Sequence, residues 1–276
     1  MKTLYISDLD GTLLGKNALP SEFTVKTINE LIEKGFHITF ATARSISSAA
    51  KILPGFNLKL PAVMMNGVCL TDIKTKEQIN VFSFEQQAAK EVIKAFEKNN
   101  RPPMQFTYDG DIAVYYKSVK SEYEQAFIEQ RKNRYRCFER CDEFDTSKCT
   151  IYLTGIDDRE VIDAVCKDLE KIKGIGFSHY LDTYSDNKYF LEVYSEKAGK
   201  WNSIKILKEM YGFDRVVAFG DNRNDVEMLK NADVAIAVGN AQPEAKAVAD
   251  IIIDTNENDG VAKYLLSEYE REVKNR

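Results

Sequence analysis

Long apolar runs are missing from this chain: no stretch approaches the length of a membrane span. The brief segment Met1-Lys2-Thr3-Leu4-Tyr5-Ile6-Ser7 is too short for the apolar region of a secretory signal. The expectation is therefore a soluble, cytoplasmic protein without membrane association. Histidine is confined to His37 and His179, and the five cysteines (Cys69, Cys137, Cys141, Cys149 and Cys166) include no C-x-x-C pair, which argues against a Cys/His zinc site. Their odd number and irregular spacing also exclude a disulfide framework and predict reduced thiols. Neither sign of charge dominates: 43 acidic against 38 basic residues leave a net charge of -5. That balance offers no electrostatic footprint for nucleic acid and no polybasic face for an anionic membrane, so a small-molecule substrate is expected. With 276 residues the chain is long enough for one large domain or a core carrying an inserted module.

What is present begins at residue 8. A short apolar run ends in Asp8-Leu9-Asp10-Gly11-Thr12-Leu13-Leu14, the order expected of a strand that delivers carboxylates to a turn. Strand alternation predicts that Asp8 and Asp10 point the same way, with Leu9 opposed, and Gly11 permits a sharp turn. Two carboxylates so placed repel and are costly to bury unless a cation sits between them or one keeps a proton. Beside a hard divalent ion the first can act as a nucleophile while the second shuttles a proton. The same residues can also build no more than an Asx-type turn.

Ser21 to Lys34 reads as an amphipathic helix, capped by Ser21, faced by Phe23, Val25, Ile28, Leu31 and Ile32 and ended by Gly35. A strand over Phe36 to Phe40 runs into Ala41-Thr42-Ala43-Arg44, followed by a helix from Ser45 to Leu53 and a strand from Ala62 to Met65 closed by Asn66-Gly67. The rhythm returns late in the chain, with helices at about 200–211, 224–229 and 243–249 and strands at 216–219, 234–237 and 251–253. Val261 to Arg276 reads as a charged amphipathic helix. Such strand and helix alternation predicts a doubly wound, Rossmann-like parallel sheet of α/β class. Between the halves, helices over 85–99, 120–131 and 158–171 with strand-like runs at 112–116 and 150–153 predict an α+β insert. The expected division is a discontinuous core, residues 1–82 and 189–276, and an inserted domain, 83–188. In open parallel sheets ligands bind beyond the carboxyl ends of the strands, where Asp8, Asp10, Thr42, Asn66-Gly67 and the Gly220 to Asp225 run all fall.

Taken in order, DLDGTLL at 8–14, Thr42 in ATAR, Lys200 in KAGKW and GDNRND at 220–225, with a weaker echo in VGNA at 238–241, make the whole chain resemble the haloacid dehalogenase superfamily of phosphohydrolases. The likeness is to its Cof-type, sugar-phosphatase-like branch, which carries a type IIB α+β cap. The resemblance implies Asp8 as nucleophile, giving an aspartyl-phosphate, and Asp10 as the acid that protonates the leaving alcohol and then activates water. It implies Lys200 as the ammonium that neutralises charge, and phosphate contacts from Thr42, Asn224 and the backbone N–H groups of Leu9, Asp10 and Ala43, the last at a helix N-terminus. Mg2+ is the implied cofactor, held by the Asp8 carboxylate, the Asp10 carbonyl and the Asp221 carboxylate, with Asp225 behind them. The chain departs from the family where Ala43 and Trp201 stand in place of glycine. Lys197, three residues before Lys200, is the alternative lysine.

The expected activity is hydrolysis of phosphomonoesters of small metabolites, sugar phosphates first, with the insert closing over the substrate as a cap. Two alternatives stand beside it: a phosphomutase on sugar phosphates, and a protein that binds or senses a phosphorylated metabolite without cleaving it. Arg44 either reaches a substrate anion or pairs with a neighbouring acid. The basic run Arg131 to Arg136 either recognises a second anion or is a solvated helix end. His37 is expected in the core, and Phe106, Tyr108, Tyr115, Tyr116, Tyr180 and Tyr184 either pack or offer a substrate platform.

Overall fold

The structure is a computed structural model that describes residues 1–49, 52–181 and 187–274; Tyr184 lies outside the described residues. In chain order the first elements are β1 (Thr3–Ser7), α1 (Glu22–Glu33), β2 (His37–Phe40), α2 (Ile46–Ala49), β3 (Ala62–Met64), β4 (Cys69–Thr71) and β5 (Gln78–Val81). There follow α3 (Gln86–Lys98), β6 (Met104–Tyr108), β7 (Ile112–Tyr116), α4 (Glu122–Arg131), β8 (Cys137–Arg140), β9 (Thr150–Asp157), α5 (Arg159–Leu169), β10 (Ile175–Leu181) and β11 (Tyr189–Ser195). The chain ends with α6 (Lys200–Tyr211), β12 (Arg215–Gly220), α7 (Val226–Asn231), β13 (Val234–Ala237), α8 (Pro243–Lys246), β14 (Ile251–Ile252) and α9 (Gly260–Lys274). None of the described helices is long and apolar enough to cross a membrane.

Two compact units result, one of Met1–Asn80 with Gly199–Arg276 and one of Val81–Ala198. In the first, five strands run parallel in the order β14, β13, β12, β1, β2. A bridge from Ala41 to Val63 carries the same direction on to β3. Because β1 is followed by β2 on one side and flanked by β12 on the other, the winding reverses between β1 and β12, and such a switch point opens a crevice at the strands' carboxyl ends. Leu4, Ile6, Val216, Val217 and Ala218 of these two strands are fully buried, as expected of strands covered on both faces. Rings of α9 reach the sheet through Tyr269 against Phe36, itself stacked on Tyr5, and through Tyr264 against Phe219.

The second unit is a six-stranded sheet in the order β10, β11, β9, β6, β7, β8, antiparallel except for the β7 and β8 pair. Phe96, Val92, Ile162 and Leu169 of α3 and α5 pack with Leu153, Leu191 and Val193 of the sheet in a core of its own. Here the chain returns later than the division at 188/189 expected from sequence: β11 pairs with β9 and β10, and residues through Ala198 belong to this unit.

Several local expectations change. Of the helix expected over Ser45 to Leu53, Ile46–Ala49 is helical and Leu53–Gly55, with Pro54, is a 3-10 turn, while residues 50 and 51 lie outside the described residues. The Ser45 hydroxyl accepts the Ser48 N–H at 3.3 Å in the manner of an N-cap, and Ser48 donates back to the Ser45 carbonyl at 3.0 Å. In α1 the buried face is Thr24, Thr27, Ile28, Leu31 and Ile32, whereas Phe23 is exposed. The strand from Ala62 ends at Met64 and is closed at Asn66-Gly67 as expected, and the turn leads into the antiparallel strand β4. His37 opens β2 half-buried, with Phe213 edge-on to its ring at 5.2 Å, and burial together with Lys2 and Lys59 holds its pKa low.

Candidate active site

The crevice at the ends of β1 and β12 gathers charge from distant parts of the chain. Asp8 follows β1 directly, its N–H bonded to the Phe219 carbonyl at 3.0 Å, and its carboxylate is buried. Lys200 opens α6 and sends a buried ammonium between two acids, 2.5 Å from Asp8 Oδ1 and 2.6 Å from Asp225 Oδ1. The other oxygen of Asp225 accepts the N–H groups of Asp221 and Asn222 at 3.0 and 3.1 Å, which closes the turn after β12. Asp221 in turn accepts the Thr12 hydroxyl at 2.7 Å. Gly11, at φ 81°, sits so close that a Cβ there would lie 2.4 Å from Asp221 Oδ2, which explains the glycine after Asp10.

Carboxylate oxygens of Asp8, Asp221 and Asp225 lie within 4.8 Å of one another. One ammonium does not balance three such groups. Burial, with Asp225 and Asp221 close by, pushes Asp8 well above the usual carboxylate range despite Lys200. Burial and the charge of Asp225 push Asp221 up to about 6. Burial alone would lower the Lys200 ammonium, but Asp225 and Asp8 overcome it and hold its pKa above the ordinary value. Hard oxygen donors with an unmet need for positive charge are a donor set that fits a divalent cation such as Mg2+.

Strand alternation does not by itself place Asp10 beside Asp8. Strand β1 ends at Ser7, so alternation no longer governs Asp10, which lies in the turn with its side chain half exposed. Its two oxygens take Nε and Nη2 of Arg44 at 2.7 and 2.6 Å, and the third carboxylate beside Asp8 and Asp221 is Asp225 instead. Arg44 thus follows the ion-pair alternative. Lys197, the competitor of Lys200, pairs with Glu85 at 3.0 Å in the other unit.

Thr42 is fully buried and its hydroxyl oxygen accepts the Arg44 N–H at 3.1 Å, which leaves the hydroxyl proton free to donate. Ala43 is not at a helix N-terminus, because α2 starts only at Ile46; it belongs to the loop that follows β2. Leu9 is buried, and its carbonyl gathers the N–H groups of Thr12, Leu13 and Leu14 into the turn. Asn224 donates to Asn66 Oδ1 at 3.0 Å. Asn66 and its neighbours Met65 and Gly67 all have positive φ, at 53°, 52° and 89°. Non-glycine residues in the left-handed region carry strain that only surrounding bonds sustain. Here Met65 and Asn66 N–H bond to the carbonyls of Arg44 and Thr42, each at 3.0 Å, and Ser203 donates to the Gly67 carbonyl at 2.8 Å. Sequence reasoning missed Thr12 as a partner of Asp221 and the turn at 65–67 as a support for Asn224; the Asn-Gly pair was the one available signal.

A sequence model of haloacid dehalogenase-like hydrolases matches residues 5–265. Among curated proteins, one from Mycoplasma genitalium that is provisionally named a phosphatase is 26% identical over 96% of this chain and 97% of its own length. The 5-amino-6-(5-phospho-D-ribitylamino)uracil phosphatase of Bacillus subtilis is 25% identical over 93% of this chain and 91% of its own. Among solved structures, a haloacid dehalogenase-like hydrolase from Bacteroides thetaiotaomicron superposes with a TM-score of 0.75 at 24% identity, covering 97% of this chain and 99% of that one. The architecture, with its parallel core sheet and mostly antiparallel second sheet, is the fold of that structure. Fold and sequence agree, and the chain belongs to the haloacid dehalogenase-like hydrolases.

Proposed function

We propose that this hydrolase is a Mg2+-dependent phosphatase of small phosphorylated metabolites, sugar phosphates foremost, working through an aspartyl-phosphate on Asp8. The phosphatase class rests on the family and on the phosphatase names of its relatives. The observation that carries the finer reading is the buried Asp8 carboxylate, held at 2.5 Å by Lys200 beside Asp221 and Asp225 at the switch point of the sheet. Phosphoryl transfer asks for positioning and charge neutralisation more than for elaborate covalent chemistry, and this set of groups supplies both.

In this reading Asp8 attacks phosphorus, the bond from phosphorus to the ester oxygen breaks, and Asp10 gives its proton to the departing alcohol. Water then attacks the aspartyl-phosphate as Asp10 takes a proton from it, inorganic phosphate leaves and the Asp8 carboxylate is restored. Lys200 orients Asp8 and offsets charge on the transferring group, Thr42 donates its free hydroxyl proton to a phosphoryl oxygen, and Asn224 supports the same side. The N–H groups of Leu9, Asp10 and Ala43 are the backbone donors. A Mg2+ ion held by Asp8, the Asp10 carbonyl and Asp221 would supply a Lewis acid that neutralises phosphoryl charge, with Asp225 fixing the turn beneath it. The chemistry is assigned to the unit of Met1–Asn80 with Gly199–Arg276 and substrate choice to Val81–Ala198. The name of the Bacillus subtilis relative, a phosphorylated ribitylamino compound, supports a small phosphorylated metabolite as substrate class.

The test is phosphate release from a panel of sugar phosphates, nucleotides and cofactor phosphates, with Mg2+ and with EDTA. Release from a cluster of sugar phosphates that EDTA abolishes is expected. Asp8→Asn should lower kcat by roughly 10⁴-fold or more, the scale seen when a nucleophile is removed, with no loss of fold by circular dichroism. Isomeric sugar phosphate without free phosphate would point to the mutase, and turnover retained by Asp8→Asn would overturn the nucleophile assignment.

A further inference from the structure

The VGNA stretch resembles its counterpart in the family, yet none of the chemistry above uses it. The structure gives its asparagine two bonds: Asn240 Nδ2 donates to the Gly11 carbonyl at 2.7 Å, and Asn240 Oδ1 accepts the Asn256 N–H at 3.0 Å. Asn256 completes the arrangement by donating its side-chain amide to the Leu14 carbonyl at 2.7 Å. Two asparagines from the segments that follow β13 and β14 thereby grip both ends of the turn 11–14, whose first residue directly follows Asp10. Gly239 makes the approach possible, since a Cβ there would sit 3.1 Å from the Thr255 methyl and 3.2 Å from the Ile253 carbonyl. On its other side Gly11 already lies against Asp221. The peptide after Asp10 is therefore held between an acid of the site and an asparagine clamp.

We propose that Asn240 and Asn256 are positioning residues that hold the Asp10 turn in its reactive placement, an inference that rests on the proton-transfer role proposed for Asp10. Both amides are at or near the surface, Asn240 exposed and Asn256 half-buried, where a hydrogen bond adds little to stability. Their worth lies in geometry. A proton donor displaced by about 1 Å can lose on the order of 100-fold in rate, and supports behind reacting groups cost about 10- to 100-fold when removed. The clamp also has a direction. The Asn240 amide must donate toward Gly11 and accept from Asn256, so an aspartate of the same shape keeps the second bond and turns the first into a repulsion between two oxygens.

The test compares wild type, Asn240→Asp, Asn256→Asp and the double variant with p-nitrophenyl phosphate and Mg2+, alongside thermal melts. Asn258→Ala, which removes a bond to Asp254 on the same turn, is the control. Each single aspartate variant is expected to lower kcat about 10- to 100-fold with KM and melting temperature unchanged, as for supports of a reacting group. The double variant should be no worse than the more damaged single one, because the pair acts as one unit. Full kcat in both single variants, or a fall in kcat that tracks a fall in melting temperature, overturns the clamp while the phosphatase reading stands. A wild-type protein that releases no phosphate overturns that reading and the clamp with it.

Discussion

Asp8, Asp221 and Asp225 share one crevice with a single ammonium among the described residues, that of Lys200, and this imbalance is the most consequential residue-scale feature of the protein. Asp221 titrates at about 6 in the folded chain because it is buried beside Asp225, while an unfolded aspartate titrates near about 3.9. Between those values the folded state holds the extra proton, so stability falls as pH rises through this window. The loss from this one group is on the order of 3 kcal/mol, and Asp8, shifted in the same direction, adds to it. In chelator, melting temperature should therefore drop from pH 5 to pH 7.5 more in wild type than in Asp221→Asn, and Mg2+ should flatten the wild-type slope. Identical slopes for the two proteins in chelator would mean that Asp221 is not under this electrostatic load.

Elements were legible where their own residues decide them. The spacing of apolar residues in α6 and β13 gives Lys200 to Tyr211 and Val234 to Ala237, the bounds found in the structure. The start of α1 was readable because a cap is a local event: the Ser21 hydroxyl accepts the Thr24 N–H at 3.0 Å. What the pattern could not show is the tie that fixes this cap, since Ser21 and Thr24 both donate to Asp259, at 2.5 and 2.8 Å, across more than two hundred residues of sequence. Phe23 misled for the same reason: periodicity reports a stripe of apolar residues, and α1 buries Thr24 and Thr27 in place of it. The turn at Met65 and Asn66 showed only through its Asn-Gly pair, and the salt bridge of Asp10 only as an unnamed acid for Arg44, because each is made by contacts from other loops. Ser21→Ala is expected to cost about 1 kcal/mol, the usual worth of an N-cap, and Ser21→Gly less. Urea unfolding checks the order, and an alanine variant as stable as wild type would show that neither the cap bond nor the Ser21 bond to Asp259 contributes measurable stability.

At the scale of the molecule the chain holds two bodies with separate means of stability. The first depends on the charge balance of its crevice, whereas the second closes its own apolar core around Phe96, Leu153 and Leu191 and buries an ion pair within the same unit. Arg101 is fully buried, bonded to the Glu124 carboxylate, to the Ile156 carbonyl at 3.0 Å and to Asp157 at 3.3 Å. Removing Glu124 alone would leave the buried guanidinium to Asp157 at 3.3 Å, a loss of about 3 kcal/mol, the lower end for broken buried pairs because that second acid remains. A divalent ion, by contrast, can stabilise only the body that binds it, by an amount that grows with its concentration above Kd. Calorimetry should then resolve two transitions, as multidomain chains allow. Mg2+ should raise one and leave the other in place, and Glu124→Ala should lower the other while the Mg2+-dependent shift persists. A single transition that moves as a whole under both perturbations would show that the two bodies unfold as one cooperative unit, and that the ion stabilises the second through the first.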